Sequence, residues 1–282
     1  MTAKARLARA SQNNVWSARM TSRLLMSGAS GYVGRYLSSR LSSQGFPVEP
    51  MHLFVDGELC RLPNQPTIDR SSIVIHLSED ANAGQHASDQ KLVETAEHNV
   101  RVLSKVASKV IYFSSVAVYD TSAPERHSES SQRFADTPYA RFKRNIESHL
   151  NTEKDLIVRA SNLYGDVAKP GTILGDLMSS AQLTGKPTLR QPNAEKDFIH
   201  LRYVSKFIVR ALQLDLSGIF NVASGLHTSG TALIDAARGV SPMQLTHLPS
   251  PFDNRKFVEV LGESRLRTVI DDLLDGDISH SE

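Results

Sequence analysis

The chain has 282 residues, 40% hydrophobic and 22% charged, with a formal net charge of +2. That length is enough for one large domain or two small ones, and so small a net charge gives no reason to expect a nucleic acid or a membrane surface as partner. The only cysteine, Cys60, excludes an internal disulfide and a cysteine-based metal site, so no metal is expected and a reducing cytoplasm is the expected compartment.

Residues 1–22 carry Lys4, Arg6, Arg9 and Arg19 and no acid, and also hold the only tryptophan, Trp16. They read as a disordered basic leader rather than an organellar transit peptide, with Met20 a natural start just before the first strand. Arg23 to Ser27 then reads as a short buried strand. Tyr32 to Ser43 reads as a helix with Val33, Tyr36, Leu37 and Leu41 on one face. Val48 to Phe54 is a second strand weakened by Pro50. Ser72 to Leu77 is a stronger, β-branched strand. Gln90 to Ala107 is helical, with Leu92, Val93, Ala96, Val100, Leu103 and Val106 at helix spacing. Val110 to Ser114 is a strand, Tyr139 to Leu150 a helix and Asp155 to Arg159 a strand. Residues 167–196 carry three prolines and break the alternation. Asp197 to Leu214 reads as a helix, Gly218 to Val222 as a strand, and the tail from Gly225 as mixed. No apolar run approaches a transmembrane span. Strands alternating with helices over short loops predict an α/β fold, a Rossmann-type doubly wound parallel sheet with a small mixed C-terminal region.

Gly28-Ala29-Ser30-Gly31-Tyr32-Val33-Gly34 falls between the first strand and the first helix. Three glycines spaced three apart let the backbone turn tightly and approach a pyrophosphate at the helix N-terminus. A glycine triplet alone often serves packing, and its place between strand and helix raises its weight. The acid that would grip a ribose 2′-hydroxyl is absent about 24 residues on, where His52 stands. NAD is therefore not preferred, and NADP is mildly favoured.

Tyr139 and Lys143 lie four apart and so share a helix face. An ammonium beside a phenol favours phenolate, which makes Tyr139 a candidate general acid and base. Such pairs are common on ordinary solvated helices, so the weight comes from order: glycine turn, a strand ending in Ser114-Ser115, then the pair. Ser115 at a strand's carboxyl end sits where open α/β sheets bind ligands, although a turn hydroxyl could simply cap the loop there.

These residues resemble the extended short-chain dehydrogenase/reductase family of nucleotide-sugar epimerases, dehydratases and reductases, from about Arg23 to Leu274. The matching segments are GASGYVG (28–34), VIHLS (74–78), Asn99-Val100, FSSVAVY (113–119), PYARFKRNIE (138–147), LIVRASNLYG (156–165), KDFIHLRYVSKFIVRAL (196–212), GIFNVASG (218–225) and LGESRLRTVIDDLL (261–274). The resemblance implies a dinucleotide-binding domain over 23–166, to which 197–224 returns, and a small substrate-binding region made of 167–196 and 225–282. It implies Tyr139 as proton shuttle, Lys143 as its partner and holder of the nicotinamide ribose, and Ser115 as the group that orients the reacting oxygen. It implies cofactor contacts from Gly28, Ser30, Gly31, Tyr32, Val33, Gly34, Leu77, Ser78, Asn99, Ser114, Tyr139, Lys143, Ala160 and Ser161. Substrate contacts would come from Ser115, Tyr139, Asn162 and Lys196. A homodimer through the helices at 90–107 and 138–150 is also implied.

One departure bears on the reaction. The acidic pair that the family's dehydratases carry after the serine or threonine is here Val116-Ala117, which argues against elimination. His200 follows the family pattern and reads as structural. The expected cofactor is NADP(H) or NAD(H), and the expected reaction is reduction of a keto-sugar nucleotide. An epimerase with tightly held NAD and a non-enzymatic dinucleotide sensor are the alternatives; a sensor would not need all three of Ser115, Tyr139 and Lys143.

Overall fold

The computed structural model describes residues 22–52, 68–78, 89–122, 125–241, 248–263 and 265–280. The leader and the end of the predicted second strand at Phe54 lie outside these residues.

The first half alternates β1 (Arg23–Ser27), α1 (Tyr32–Ser43), β2 (Val48–Met51), β3 (Ser72–His76), α2 (Gln90–Val106), β4 (Lys109–Ser115), α3 (Pro138–Ser148) and β5 (Leu156–Ala160). With β9 (Gly218–Val222) these strands form one parallel sheet in the order β2-β1-β3-β4-β5-β9. Successive side chains of a strand point to opposite faces, so a sheet covered on both sides needs apolar residues throughout. Leu24 and Met26 of β1, Ile73 and Ile75 of β3 and Leu156 and Val158 of β5 face one core, with Leu37 and Leu41 of α1. Leu25, Val74 and Ile157 face the other, with Leu103 of α2 and Phe142 and Ile146 of α3. The doubly wound fold follows from this two-sided burial. The chain runs from β1 outward to β2 and then crosses to β3, so the sheet switches direction beside β1, where such folds bind ligands at the carboxyl ends of their strands.

The second half adds β6 (Asn162–Tyr164), β7 (Val167–Ala168), α4 (Ile173–Thr184), β8 (Glu195–His200), α5 (Leu201–Leu214), β10 (Leu226–Ser229), α6 (Gly230–Ala237), β11 (Leu248–Pro249), α7 (Arg255–Leu261), α8 (Val269–Leu274) and β12 (Ser279–His280). A mixed sheet in the order β11-β10-β8-β6 stands apart from the parallel one, and β7 pairs with β12. Phe198 of this sheet, Leu174 and Leu177 of α4, Leu233 of α6 and Ile270 of α8 enclose a smaller core.

The helix expected from Asp197 begins instead at Leu201, and Glu195 to His200 is a strand. Lys196 and Asp197 pair with Thr228 and His227 across the mixed sheet. His200 ends the strand by capping α5, its Nδ1 accepting from the Arg202 N–H at 2.9 Å. The stretch 197–224 is thus divided: β8 joins the mixed sheet, while α5 packs Val204 and Phe207 on the parallel sheet. β5 starts one residue later than expected because Asp155 is wholly buried and its carboxylate accepts from Val110 N at 2.9 Å, Ser104 Oγ at 2.6 Å and Asn151 N at 2.9 Å.

Candidate active site

The glycine turn leaves β1 at its carboxyl end. Gly28 has φ +72°, and a Cβ on it would lie 3.0 Å from the Leu77 carbonyl carbon and the Ser78 nitrogen. A Cβ on Gly34 would lie 2.1 Å from the Gly28 carbonyl oxygen, so neither position accepts a side chain. Gly31 N–H closes the turn on the Gly28 carbonyl at 3.0 Å. Helices α2 to α6 each have a side chain capping their first N–H groups, from Asp89, Thr137, Thr172, His200 and Ser229. Among the described residues no side chain caps α1. Gly31, Tyr32, Val33 and Gly34, at the start of this helix, line a cavity of about 520 Å³. Open amides, the positive end of the helix dipole and a backbone without side chains fit a pyrophosphate.

The same cavity reaches the ends of β3, β4 and β5. Leu77, Ser78, Ser114, Ser115, Tyr139, Lys143, Ala160 and Ser161 line it together with the glycine turn. Of the expected cofactor contacts, Asn99 alone does not; it is buried on α2, its Oδ1 without a partner among the described residues. The cavity also takes in His76, Phe113, Leu163 and Lys169, which sequence reasoning missed. The first two stand beside expected residues on their strands. Leu163 lies in the matching segment LIVRASNLYG beside Asn162, whereas Lys169 comes from a return of chain for which the sequence carries no local signal. His52, exposed just past β2, is not among the lining residues.

Pro138 at the first helical position and Thr137, whose Oγ1 accepts from Ala140 N at 3.1 Å, set the start of α3 and so the place of Tyr139. One turn on, Lys143 is buried; its Nζ donates to the Phe113 carbonyl at 3.0 Å and the Tyr112 hydroxyl at 3.2 Å and lies 5.9 Å from the Tyr139 ring centre. The Ser115 hydroxyl does cap a turn, accepting from Ala117 N at 3.1 Å, which leaves its own proton for an oxygen in the cavity. Its neighbour has no such freedom: Ser114 Oγ donates to Glu147 Oε1 at 2.6 Å.

Glu147, a further turn along α3, forms a buried two-pronged ion pair with Arg159 of β5, at 3.0 Å from Nε and 2.6 Å from Nη2. Arg159 Nη1 donates to the Tyr119 hydroxyl at 2.7 Å, and that hydroxyl donates to Asn221 Oδ1 of β9 at 2.8 Å. Burial holds the Tyr119 phenol above its ordinary range. This network ties together the three elements that carry Ser115, Tyr139 and Ala160.

A second cavity of about 560 Å³ shares Ser115 and Ser161 with the first. Asn162 and Lys196, the two expected substrate contacts outside the first cavity, line it. Asn162 Nδ2 is already committed to the Asp197 carbonyl at 2.7 Å, which leaves its oxygen to face a ligand. Asp197 is buried, and burial raises its carboxyl although Ser224 N and Gly225 N donate to it at 2.9 and 3.0 Å. Asp120, Glu195 and His227 also line this cavity. Asp120 accepts from Ser122 N at 3.0 Å and Arg133 Nε at 3.0 Å; hydrogen bonding from the Ser122 side chain first, then from its backbone N–H and from Arg133, holds its carboxyl at about 2. Where an acidic pair would serve elimination, Val116 is buried and Ala117 faces the second cavity.

A doubly wound parallel sheet, a glycine turn closed to side chains and a Tyr, Lys and Ser gathered beyond its strand ends define the extended short-chain dehydrogenase/reductase class. The model of the NAD dependent epimerase/dehydratase family matches residues 24–223, and the chain belongs to that family of enzymes. In sequence, no curated protein matches. Among solved structures, TunA, an NAD dependent NDP-hexosamine 5,6-dehydratase involved in tunicamycin biosynthesis, is similar with a TM-score of 0.71 and 19% identity, covering 91% of this chain and 97% of that one. DesIV, a dTDP-glucose 4,6-dehydratase from Streptomyces venezuelae with NAD bound, gives 0.68 and 17% over 91% and 96%. The UDP-glucose 4-epimerase of Thermus thermophilus, in complex with NAD, gives 0.67 and 19% over 90% and 98%. At these identities the likeness is one of fold.

Proposed function

We propose that the protein moves hydride between a nicotinamide dinucleotide and one carbon of a nucleotide-sugar, with reduction of a keto-sugar nucleotide as its net reaction. The observation that carries this reading is the shared wall of the two cavities, where Ser115 stands beside the opening that holds Tyr139 and Lys143. The dinucleotide, when bound, supplies the hydride. Tyr139 gives its phenolic proton to the carbonyl oxygen as that oxygen becomes a hydroxyl. Ser115 donates a hydrogen bond to the same oxygen and fixes its orientation. Lys143, held by the Phe113 carbonyl, sets an ammonium one turn from Tyr139 and would hold the nicotinamide ribose. Asn162 and Lys196 take the nucleotide-sugar, Lys196 through its diphosphate.

The absence of a carboxylate at Val116 and Ala117 supports oxidoreduction without elimination. An epimerase, in which the same residues oxidise and re-reduce one carbon, is a second reading favoured by the family model. Chain size does not separate the two, because 98% of the Thermus epimerase is covered. NAD is the cofactor bound in the similar structures, and NADP stays within the proposal because His52 offers no carboxylate against a 2′-phosphate. A homodimer is also proposed. The outer faces of α2 and α3 form a groove lined by Gln90, Val93, Pro138, Arg141 and Asn145, with Leu92 exposed beside it; light scattering of the purified protein would check it.

Mass spectrometry of the nucleotide released on denaturing freshly purified protein tests the reading. Near-stoichiometric NAD indicates the epimerase, which recycles its cofactor in place. An empty protein that then binds NADPH or NADH indicates the reductase. Failure to bind either overturns the enzyme reading.

A further inference from the structure

We infer that Lys169 is a phosphate-binding residue of the cofactor site, presented by a strap of chain that crosses the glycine turn; this rests on the dinucleotide reading above. Lys169 lines the first cavity together with Gly28, Ser30, Gly31 and Tyr32, and not the second cavity, where Asn162 and Lys196 stand. Among the described residues its ammonium has no hydrogen-bond or ion-pair partner. The other cation of the first cavity, Lys143, belongs to the far end, against Phe113 and Tyr139. A pyrophosphate carries two negative charges, and Lys169 is the ammonium placed with the open amides of α1 to meet them.

The strap is fixed rather than adventitious. Gly165 packs so closely that a Cβ would come 3.1 Å from the Tyr32 hydroxyl. That hydroxyl donates to the Val167 carbonyl at 2.8 Å. His200 Nε2 lies 3.1 Å from Asp166 Oδ1, and Ser279 N donates to the Asp166 carbonyl at 2.8 Å as β12 pairs with β7. On its far side, the Thr172 hydroxyl donates to the Lys169 carbonyl at 2.6 Å. The backbone that carries Lys169 is therefore held against the first turn of α1 on one side and the N-terminus of α4 on the other, while the ammonium itself stays uncommitted.

Calorimetric titration of NADH, ADP, adenosine, UDP and dTDP into wild-type, Lys169→Met and Lys169→Arg protein tests this. Loss of one hydrogen bond to a charged group at a half-buried site predicts that Lys169→Met weakens NADH and ADP roughly tenfold, leaves adenosine unchanged, and is largely rescued by Lys169→Arg. Lys169→Met binding NADH as wild type does would overturn the inference alone. A loss confined to UDP or dTDP, with NADH unaffected, would also overturn it, because Lys169 would then serve the diphosphate of the sugar nucleotide. Wild-type protein that binds no dinucleotide would overturn the cofactor reading and this inference with it.

Discussion

The two cavities are neighbours built by opposite means. The cofactor side is made of strand ends, backbone amides and side chains fixed from below. Lys143 is 6% exposed, and beneath it Ser114, Glu147, Arg159, Tyr119 and Asn221 form a continuous buried chain of hydrogen bonds. The second cavity, proposed above for the sugar, is lined by polar groups that pair with neighbours: Asp120 with Arg133, and Glu195 with His227 at 3.7 Å. A reaction centre needs atoms held within fractions of an ångström, whereas a surface of mutually paired polar groups can be rearranged without disturbing the core. If the proposed function holds, reaction chemistry and substrate choice belong largely to separate parts of the molecule, joined at Ser115 and Ser161. Substitutions should separate them too.

The largest effect should follow Tyr139→Phe. Removing the proton donor leaves ring packing in place, so kcat should fall by roughly two to four orders of magnitude while dinucleotide affinity stays unchanged. Steady-state kinetics beside NADH titration check this. Undiminished turnover with normal cofactor binding would show that Tyr139 is not the proton donor.

Next comes the buried pair beneath the site. Glu147→Gln leaves the Arg159 guanidinium, with a side chain only 4% exposed, without its counter-charge. Breaking such a pair costs on the order of 3–5 kcal/mol, read as a lower midpoint in urea. A double replacement, Glu147→Leu with Arg159→Met, should regain much of that stability because neither charge is left buried. Turnover should not return with it, since Ser114 and Tyr119 would lack the partners that hold β4 in register. If the double variant were fully active, the network would be a stability feature with no bearing on the site.

How far the sequence reveals this division depends on range. The bounds of β1, α1 and β9 match the sequence reading residue for residue, because a glycine turn, helix spacing and an apolar run are local signals. The glycine turn, Ser115, Tyr139 and Lys143 were legible for the same reason, each lying within a motif of a few residues. The mixed sheet was not. β6, β10 and β11 are two to four residues long, and β8 finds partners about 30 residues away on either side, so its pattern merges with the helix that follows. Glu147 stands at helix spacing from Lys143, yet its importance comes from Arg159, whose further partners lie 40 and more residues away. Lys169 reaches the cofactor cavity only because Gly165 can lie against Tyr32.

A third test concerns His200, which sits under the strap between the two halves. Burial first, and then the Arg202 charge, hold its imidazole at about 4 rather than 6.5, against the opposing influence of Asp272 and Asp166. A histidine depressed in the folded state is neutral there while the unfolded chain takes up a proton. The unfolded state therefore binds more protons between pH 6.5 and 4, and stability falls as pH falls through that window. Thermal midpoints measured from about pH 7 to about pH 4.5 should drop accordingly. His200→Asn, which keeps an acceptor for the Arg202 N–H at the start of α5, should flatten the slope. An unchanged slope would assign the acid sensitivity to other groups.

The smallest effect on the fold should come from the sugar side, and there the comparison is most exposed to failure. Glu195 and His227 are partly exposed, and pairs of that kind contribute at most about 1 kcal/mol. Glu195→Gln or His227→Gln should leave the thermal midpoint and NADH affinity unchanged. If these groups read the substrate, each should move KM for nucleotide-sugars severalfold with kcat nearly constant, the mark of lost ground-state binding. Asp120→Asn, at a group tied to Arg133, should behave alike. A fall in kcat without change in KM would mean that the polar wall reaches the reacting carbon, and that chemistry and choice of substrate share residues after all.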